Sequence, residues 1–167
     1  MTAVTIRPLS PGDSIEELTA LLHRAYAELA AMGLRYAATN QTPEVTARRI
    51  AEGECAVAVL DGVVVGTITF YPADRVNGTE WYDRPDVAAF GQFGVEPHLR
   101  RHGIGSALLE HVTARAAATG ARELACDTSE DAPHLIRSYE ARGFRRVGTA
   151  DRRPYTNYLS VVLSKTL

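Results

Sequence analysis

Arg100, Arg101 and His102 lead directly into Gly103-Ile104-Gly105-Ser106, so that cationic side chains meet two glycines where an apolar helical pattern begins. Those residue types suit an anion. The first N–H groups of a helix lack intrahelical partners, the helix dipole adds partial positive charge there, and glycine lets a phosphate approach the backbone. The glycines follow a strand-like run ending at Val95 and precede the longest helical pattern of the second half of the chain, which is the context a phosphate loop requires. Three ligands compete. A Walker loop needs Gly-x-x-x-x-Gly-Lys-Ser/Thr, and no lysine is supplied here. A dinucleotide fingerprint needs a third glycine where this chain has Leu108, and no second mononucleotide half follows. What remains is a pyrophosphate carrying a group to be transferred, as in coenzyme A.

The elements that must position this loop alternate between two hydrophobic periods. Val4, Ile6 and Leu9 suggest a first strand, and a helix follows from Ser14, a suitable N-cap, to Gly33. A second helix starts near Thr42 and Pro43 and ends before Gly53. "CAVAVLDGVVVGTITFY" reads as a hairpin turning at Asp61-Gly62, and the polar stretch from Pro72 to Pro85 reads as a loop. A fourth strand runs through "AAFGQFGV" to Val95, a long helix spans Gly103 to Thr119, and "ELACD" is a fifth strand. Pro133 to Arg142 forms an amphipathic helix closed by Gly143, and two β-runs follow, around Val147 and from Tyr158 to Leu163. The order β-α-α-β-β-β-α-β-α-β-β predicts an α/β fold. Its mixed, mostly antiparallel sheet has about seven strands and about four flanking helices, with a parallel crossover between Ala88 and Asp127.

Length and charge narrow the classes. The 167 residues, 46% of them hydrophobic, fill one core and show no linker or repeat, so residues 1–167 are read as a single domain. A formal net charge of -2 offers no global positive field for nucleic acid or anionic lipid. The first thirty residues hold no basic segment followed by an apolar stretch, and no run approaches the ~18 apolar residues of a membrane span. A cytoplasmic protein is expected, with no nucleic-acid or membrane partner. Cys55 and Cys126 lie in apolar strand-like runs and read as buried free thiols; no Cys/His cluster suggests a metal.

At the loop, "GVEPHLRRHGIGSALLEHV" resembles the central signature of the GNAT superfamily of acyl-CoA-dependent N-acetyltransferases, Arg/Gln-x-x-Gly-x-Gly/Ala after a Val-x-Pro strand end, here Arg100-x-x-Gly103-x-Gly105. "SYEARGF", Ser138 to Phe144, is similar to the second signature. With the hairpin before and two strands after, the resemblance covers nearly the whole chain and implies a single GNAT-like domain. It implies acetyl-CoA as co-substrate and no metal. Backbone groups of Phe93 and Val95 would pair with the pantetheine arm, while Arg100, Arg101, His102, Gly103, Ile104, Gly105 and Ser106 would cradle the pyrophosphate. Tyr139 would donate a proton to the departing CoA thiolate. The family often has Asn seven residues before that tyrosine; this chain has Ala132, with Ser129 and Asp131 as nearby substitutes.

The implied reaction is direct attack of an amine on the thioester, with an N–H of the fourth strand such as that of Val95 facing the oxyanion. An alkylammonium has a pKa of about 10.4, so the site must remove a proton. Asp127, at the end of the fifth strand, is the favoured base. Glu80, Asp83 and Asp86 are placed to help if their loop folds over the acceptor, whereas Glu96 is expected to face solvent. Tyr36, Trp81, Tyr82 and Tyr155 lie in segments that flank the acceptor in this family. With Glu80 they would suit a cationic acceptor: a small primary amine, an amino-acid-like metabolite, or a protein N-terminus or lysine. The competing reading is a degenerate acyl-CoA sensor that binds without turnover. A homodimer through the tail strands rests on exposed-edge logic alone.

Overall fold

The computed structural model describes residues 3–167. In the first half, β1 (Thr5–Pro8), β2 (Glu54–Leu60), β3 (Val63–Tyr71) and β4 (Val87–Val95) pair antiparallel in succession. Asp61 and Gly62, with φ of 51° and 78°, make the two-residue turn between β2 and β3, as a type I′ hairpin requires. In the second half, β5 (Glu123–Ser129) lies parallel to β4 and antiparallel to β7 (Leu159–Thr166), and β6 (Arg145–Asp151) closes the far edge. The seven-stranded order is β1-β2-β3-β4-β5-β7-β6, the mixed sheet that the hairpin and the crossover predict.

Six helices accompany it, two more than expected. The predicted first helix divides at Tyr26, whose backbone leaves the helical region (φ −96°, ψ 1°), into α1 (Ile15–Ala25) and α2 (Ala27–Ala31). No proline or glycine marks that break. The Tyr26 ring packs 5.5 Å from Tyr36, just before the short α3 (Ala37–Asn40), which no periodicity announced. α4 (Pro43–Ala51) starts where Thr42 Oγ1 accepts the Val45 N–H at 3.3 Å. α5 (Ile104–Ala118) is the crossover and α6 (Pro133–Glu140) follows β5. No helix among the described residues is long and apolar enough to cross a membrane.

The two sheet faces are covered differently. α5 and α6 bury Ile104, Leu108, Val112 and Ile136 against Ile68, Phe90, Leu124, Cys126 and Leu163. On the opposite face, Leu18 of α1 covers Cys55 and Val57, while Tyr82, with Val76 and Trp81, folds over Val87, Ala89, Ala125 and Val162. The excursion from Pro72 to Pro85 is thus a packed cover. Gly94 lets α1 lie directly on β4, since a Cβ there would stand 2.8 Å from that of Ala25.

One departure from regular pairing creates the site. β4 and β5 are in register only at Val87↔Glu123, Ala88↔Leu124 and Ala89↔Ala125. Beyond these, β4 stays with β3 and β5 with β7, and the two strands part. Gln92, at φ 47°, carries the irregularity that shifts the β3–β4 register between Thr67 and Thr69 and bends β4 away.

Candidate active site

A cleft of about 930 Å³ occupies the split, bounded by β4, β5, the α1–α2 junction, α4, α6 and the connection between β6 and β7. A smaller cavity of about 350 Å³ adjoins it, lined by Val95, Leu99, Arg100, Arg101, Gly103, Gly105, Ser106 and Arg142. Its floor is the glycine loop. Arg101 and Gly103 both have positive φ (66° and 80°), so successive N–H groups turn to one side as in an anion-binding nest. No side chain caps α5 at Gly103, which leaves the first-turn amides of Ile104, Gly105 and Ser106 for a ligand. Gly105 faces β4: a Cβ there would lie 3.5 Å from Phe93 Cζ and 3.8 Å from Val95 Cγ2, and anything larger would collide.

The side chains around the loop divide the work. Arg101 is exposed and borders both cavities. Arg100 turns away, donating to Glu28 Oε2 and to the Ala25 carbonyl at 2.7 Å, and so ties the loop to the α1–α2 junction. His102 Nδ1 bonds to the carbonyls of its own turn, Leu99 at 3.1 Å and Arg100 at 2.9 Å. Ile104 is buried, so only its backbone faces the cavity. Arg142, which the sequence reading passed over although it lies inside the second signature, reaches from the turn after α6 to Ser106 Oγ at 2.9 Å.

On β4, the Glu96 N–H donates to Val65 O at 2.8 Å. Because peptide groups alternate sides along a strand, those of Val95 and Phe93 face the split. The strand therefore offers an extended ligand an edge to pair with. Glu96 itself does not face solvent: it is 9% exposed and accepts from Arg24 Nε at 3.0 Å, because the last turn of α1 lies over the end of β4.

β5 sends Cys126 and Asp127 to opposite faces of the sheet, since consecutive side chains alternate. Cys126 points into the α5/α6 face, where Tyr139 packs 6.0 Å from Phe90 and 5.6 Å from Phe144. Burial drives the Tyr139 hydroxyl well above the ordinary phenol range, so the proton stays on. That hydroxyl borders the cleft and makes no hydrogen bond among the described residues. Asp127 points to the other face and accepts from Arg152 Nε at 2.6 Å. Burial, with the Asp127 charge adding to it, also holds the Tyr82 phenol well above its usual range.

The remaining predicted residues fall in two groups. Tyr36 lines the cleft as a buried wall, 4.9 Å from Tyr158; its hydroxyl bonds to Thr128 Oγ1 at 2.7 Å and accepts the Ser129 N–H at 3.0 Å. Tyr82 lines it too, and Tyr155 stands at the rim, 85% exposed. Glu80 is exposed and lies outside the lining, as do Asp83 and Asp86, the latter paired with Arg84 at 2.9 Å. Trp81 sits beneath the Arg84 guanidinium, 4.2 Å from its ring centroid. Ser129 and Asp131, the substitutes considered for the family Asn, bond to each other, the Asp131 N–H donating to Ser129 Oγ at 3.0 Å, while Ala132 is fully buried. Tyr26, Tyr158, Arg49 and Gln92 are among the further lining residues that the sequence did not point to.

A split parallel pair, a glycine nest at a helix start and a free strand edge define an acyl-CoA-dependent transferase. Residues 16–144 match the model of the Acetyltransferase (GNAT) family. The S-(2-succino)cysteine N-acetyltransferase of Bacillus subtilis (strain 168) is 30% identical over 139 residues, 81% of either chain. A GNAT family acetyltransferase from Elizabethkingia anophelis, solved with acetyl-CoA bound, shares the fold at a TM-score of 0.69 and 18% identity, covering 98% of both chains. The ribosomal-protein-S18-alanine N-acetyltransferase of Escherichia coli does so at 0.74 and 17%, covering 98% of this chain and 94% of its own. The chain belongs to the GNAT acetyltransferase family. It is an acyl-CoA-dependent N-acetyltransferase.

Proposed function

We propose that this enzyme transfers an acetyl group from acetyl-CoA to a small primary amine, with Tyr139 as general acid and Asp127 as general base. The carrying observation is that Tyr139 of α6 and Asp127 of β5 both line the cleft, Tyr139 on the α5/α6 side of the sheet and Asp127 on the other. A thioester laid along β4 then has its sulfur on the Tyr139 side and its carbonyl open to an amine from the Asp127 side. The nest of Arg101 to Ser106, with Arg142, suits the pyrophosphate in charge and in shape. Phe93 and Val95 offer peptide groups to the pantetheine arm, and the Val95 N–H faces the position of the oxyanion.

Asp127 takes the proton of the acceptor ammonium, and Arg152 fixes the carboxylate that receives it. The amine adds to the thioester carbonyl, the tetrahedral adduct collapses with cleavage of the C–S bond, and Tyr139 protonates the leaving thiolate. The second proton shed by the amine nitrogen restores the phenol, while that held by Asp127 passes to solvent. Small-amine acceptors fit a cleft walled by Tyr26, Tyr36 and Tyr158, and the Bacillus relative is named for such a substrate. The two cysteines, both free and buried, support action in the reducing cytoplasm. Incubation with acetyl-CoA and a panel of small amines should release CoA thiol and yield N-acetylated products by mass spectrometry. An enzyme that binds acetyl-CoA and releases none above blank with every amine is a sensor instead.

A further inference from the structure

Hydrogen-bond supply and demand are unbalanced at the α4 corner of the cleft. Arg49, half-buried on α4, donates from Nη1 to Gln41 Oε1 at 2.7 Å and has no carboxylate partner within ion-pair distance among the described residues. Gln41 Nε2 donates in turn to Gln92 Oε1 at 2.7 Å and to Thr46 Oγ1 at 2.9 Å, so both glutamine oxygens are already used. Gln92 is 3% exposed and lines the cleft, yet its Nε2 has no acceptor at hydrogen-bond distance among the described residues. An orphan buried amide is destabilising unless something accepts from it. Next to it are the Arg49 guanidinium, whose Nη2 lies 3.8 Å from where a Gly91 Cβ would be, and the Tyr71 ring, 3.5 Å from the same point. Donors outnumber acceptors at this corner, where the neutral Tyr71 phenol lies beside both Gln92 and Arg49.

The charges of the cleft point the same way. Arg100 and Arg152 are paired with Glu28 and Asp127, and Arg101 and Arg142 border the pyrophosphate cavity. Arg48, Arg49 and Arg75 remain toward the acceptor, where Glu52 is the one further carboxylate in the lining. Position completes the case. Continuing the register Ala89↔Ala125 sets Gly91 level with Asp127 across the split, with both residues directed to the same face. An amine at Asp127 thus has the Arg49 corner opposite it.

We infer that the acyl acceptor is a small amine that also bears a carboxylate, and that Arg49, backed by Gln92, binds that carboxylate. This rests on the transferase reading above and narrows the acceptors suggested by the sequence to the amino-acid-like ones. Arginine fits because its planar fork meets a carboxylate with two parallel N–H···O bonds.

The test compares L-methionine with 3-(methylthio)propylamine, and S-(carboxymethyl)-L-cysteine with S-methylcysteamine, at saturating acetyl-CoA. CoA release gives turnover, and the thermal shift of the CoA-loaded protein gives binding. The carboxylated member of each pair should have the higher kcat/KM. Arg49→Gln should lower that kcat/KM about 10- to 100-fold, the size of a lost charge-assisted hydrogen bond, with KM for acetyl-CoA unchanged. Arg49→Lys should recover part of the loss. Equal or faster turnover of the decarboxylated amines, or an Arg49→Gln variant with an unchanged preference, overturns the inference and leaves the transferase standing. If no amine is turned over, the transferase reading falls; carboxylate binding that Arg49→Gln abolishes still upholds the subsite, and its absence overturns that as well.

Discussion

Tyr139 on α6 and Asp127 on β5 show how a helix and a strand bring single residues with different chemistry to one cleft. Tyr139 is held by Phe90 and Phe144 in a pocket that keeps its proton on, while its oxygen stays at the cleft. Tyr139→Phe keeps the ring contacts and removes only the O–H. It should lower kcat about 10²-fold or more, within the range of general-acid catalysis, and leave the Kd for CoA and the Tm close to wild type. A variant with the wild-type rate would make Tyr139 a packing residue. Asp127→Asn removes the proton acceptor and leaves Arg152 without its partner. Its kcat should fall about 10²- to 10⁴-fold at neutral pH, and the deficit should shrink as the pH approaches ~10, where alkylamines lose the proton unaided. A deficit that stays constant to high pH would assign Asp127 to orientation rather than proton transfer.

The elements show which parts of this arrangement the sequence could reveal. The glycine loop was legible because strand, basic residues, glycines and helix are adjacent in the chain and each has a local physical reason. Gly103 takes a positive φ, and at Gly105 a bare Cβ would already be in van der Waals contact with Phe93. Gly105→Trp should therefore abolish acetyl-CoA binding in calorimetry, because the indole would have to occupy the space between the start of α5 and β4. Unchanged affinity would move the pyrophosphate elsewhere. The Arg49 corner was not legible. It depends on the left-handed backbone of Gln92, a conformation that no non-glycine residue advertises, and on α4 packing near β4 after two short helices of weak periodicity. The break at Tyr26 was hidden for the same reason, since the ring stack with Tyr36 and Tyr158 is tertiary. Glu96 was misread as solvent-facing because its partner, Arg24, is 72 residues away in the chain.

At the scale of the whole molecule, a net charge of -2 conceals a cleft bordered by seven arginines, so the global balance excluded nucleic acid without describing the site. The same cleft divides the sheet: β1 to β4 and β5 to β7 share three residue pairs and are joined besides by α5, α6, the packed cover around Tyr82 and the contacts of Tyr36 with Thr128, Ser129 and Tyr158. Acetyl-CoA lying along β4 and gripped by Arg142 of the other half would bridge the two. A ligand that binds only the folded state at 100 times its Kd stabilises by about 2.7 kcal/mol. For a chain of this size that corresponds to a rise in Tm of about 5–11 °C. Thermal unfolding followed by circular dichroism, with and without acetyl-CoA, should show that rise as a single cooperative transition, and Gly105→Trp should not respond. If acetyl-CoA produced two separate transitions, the halves would unfold independently and the ligand would be stabilising only one of them.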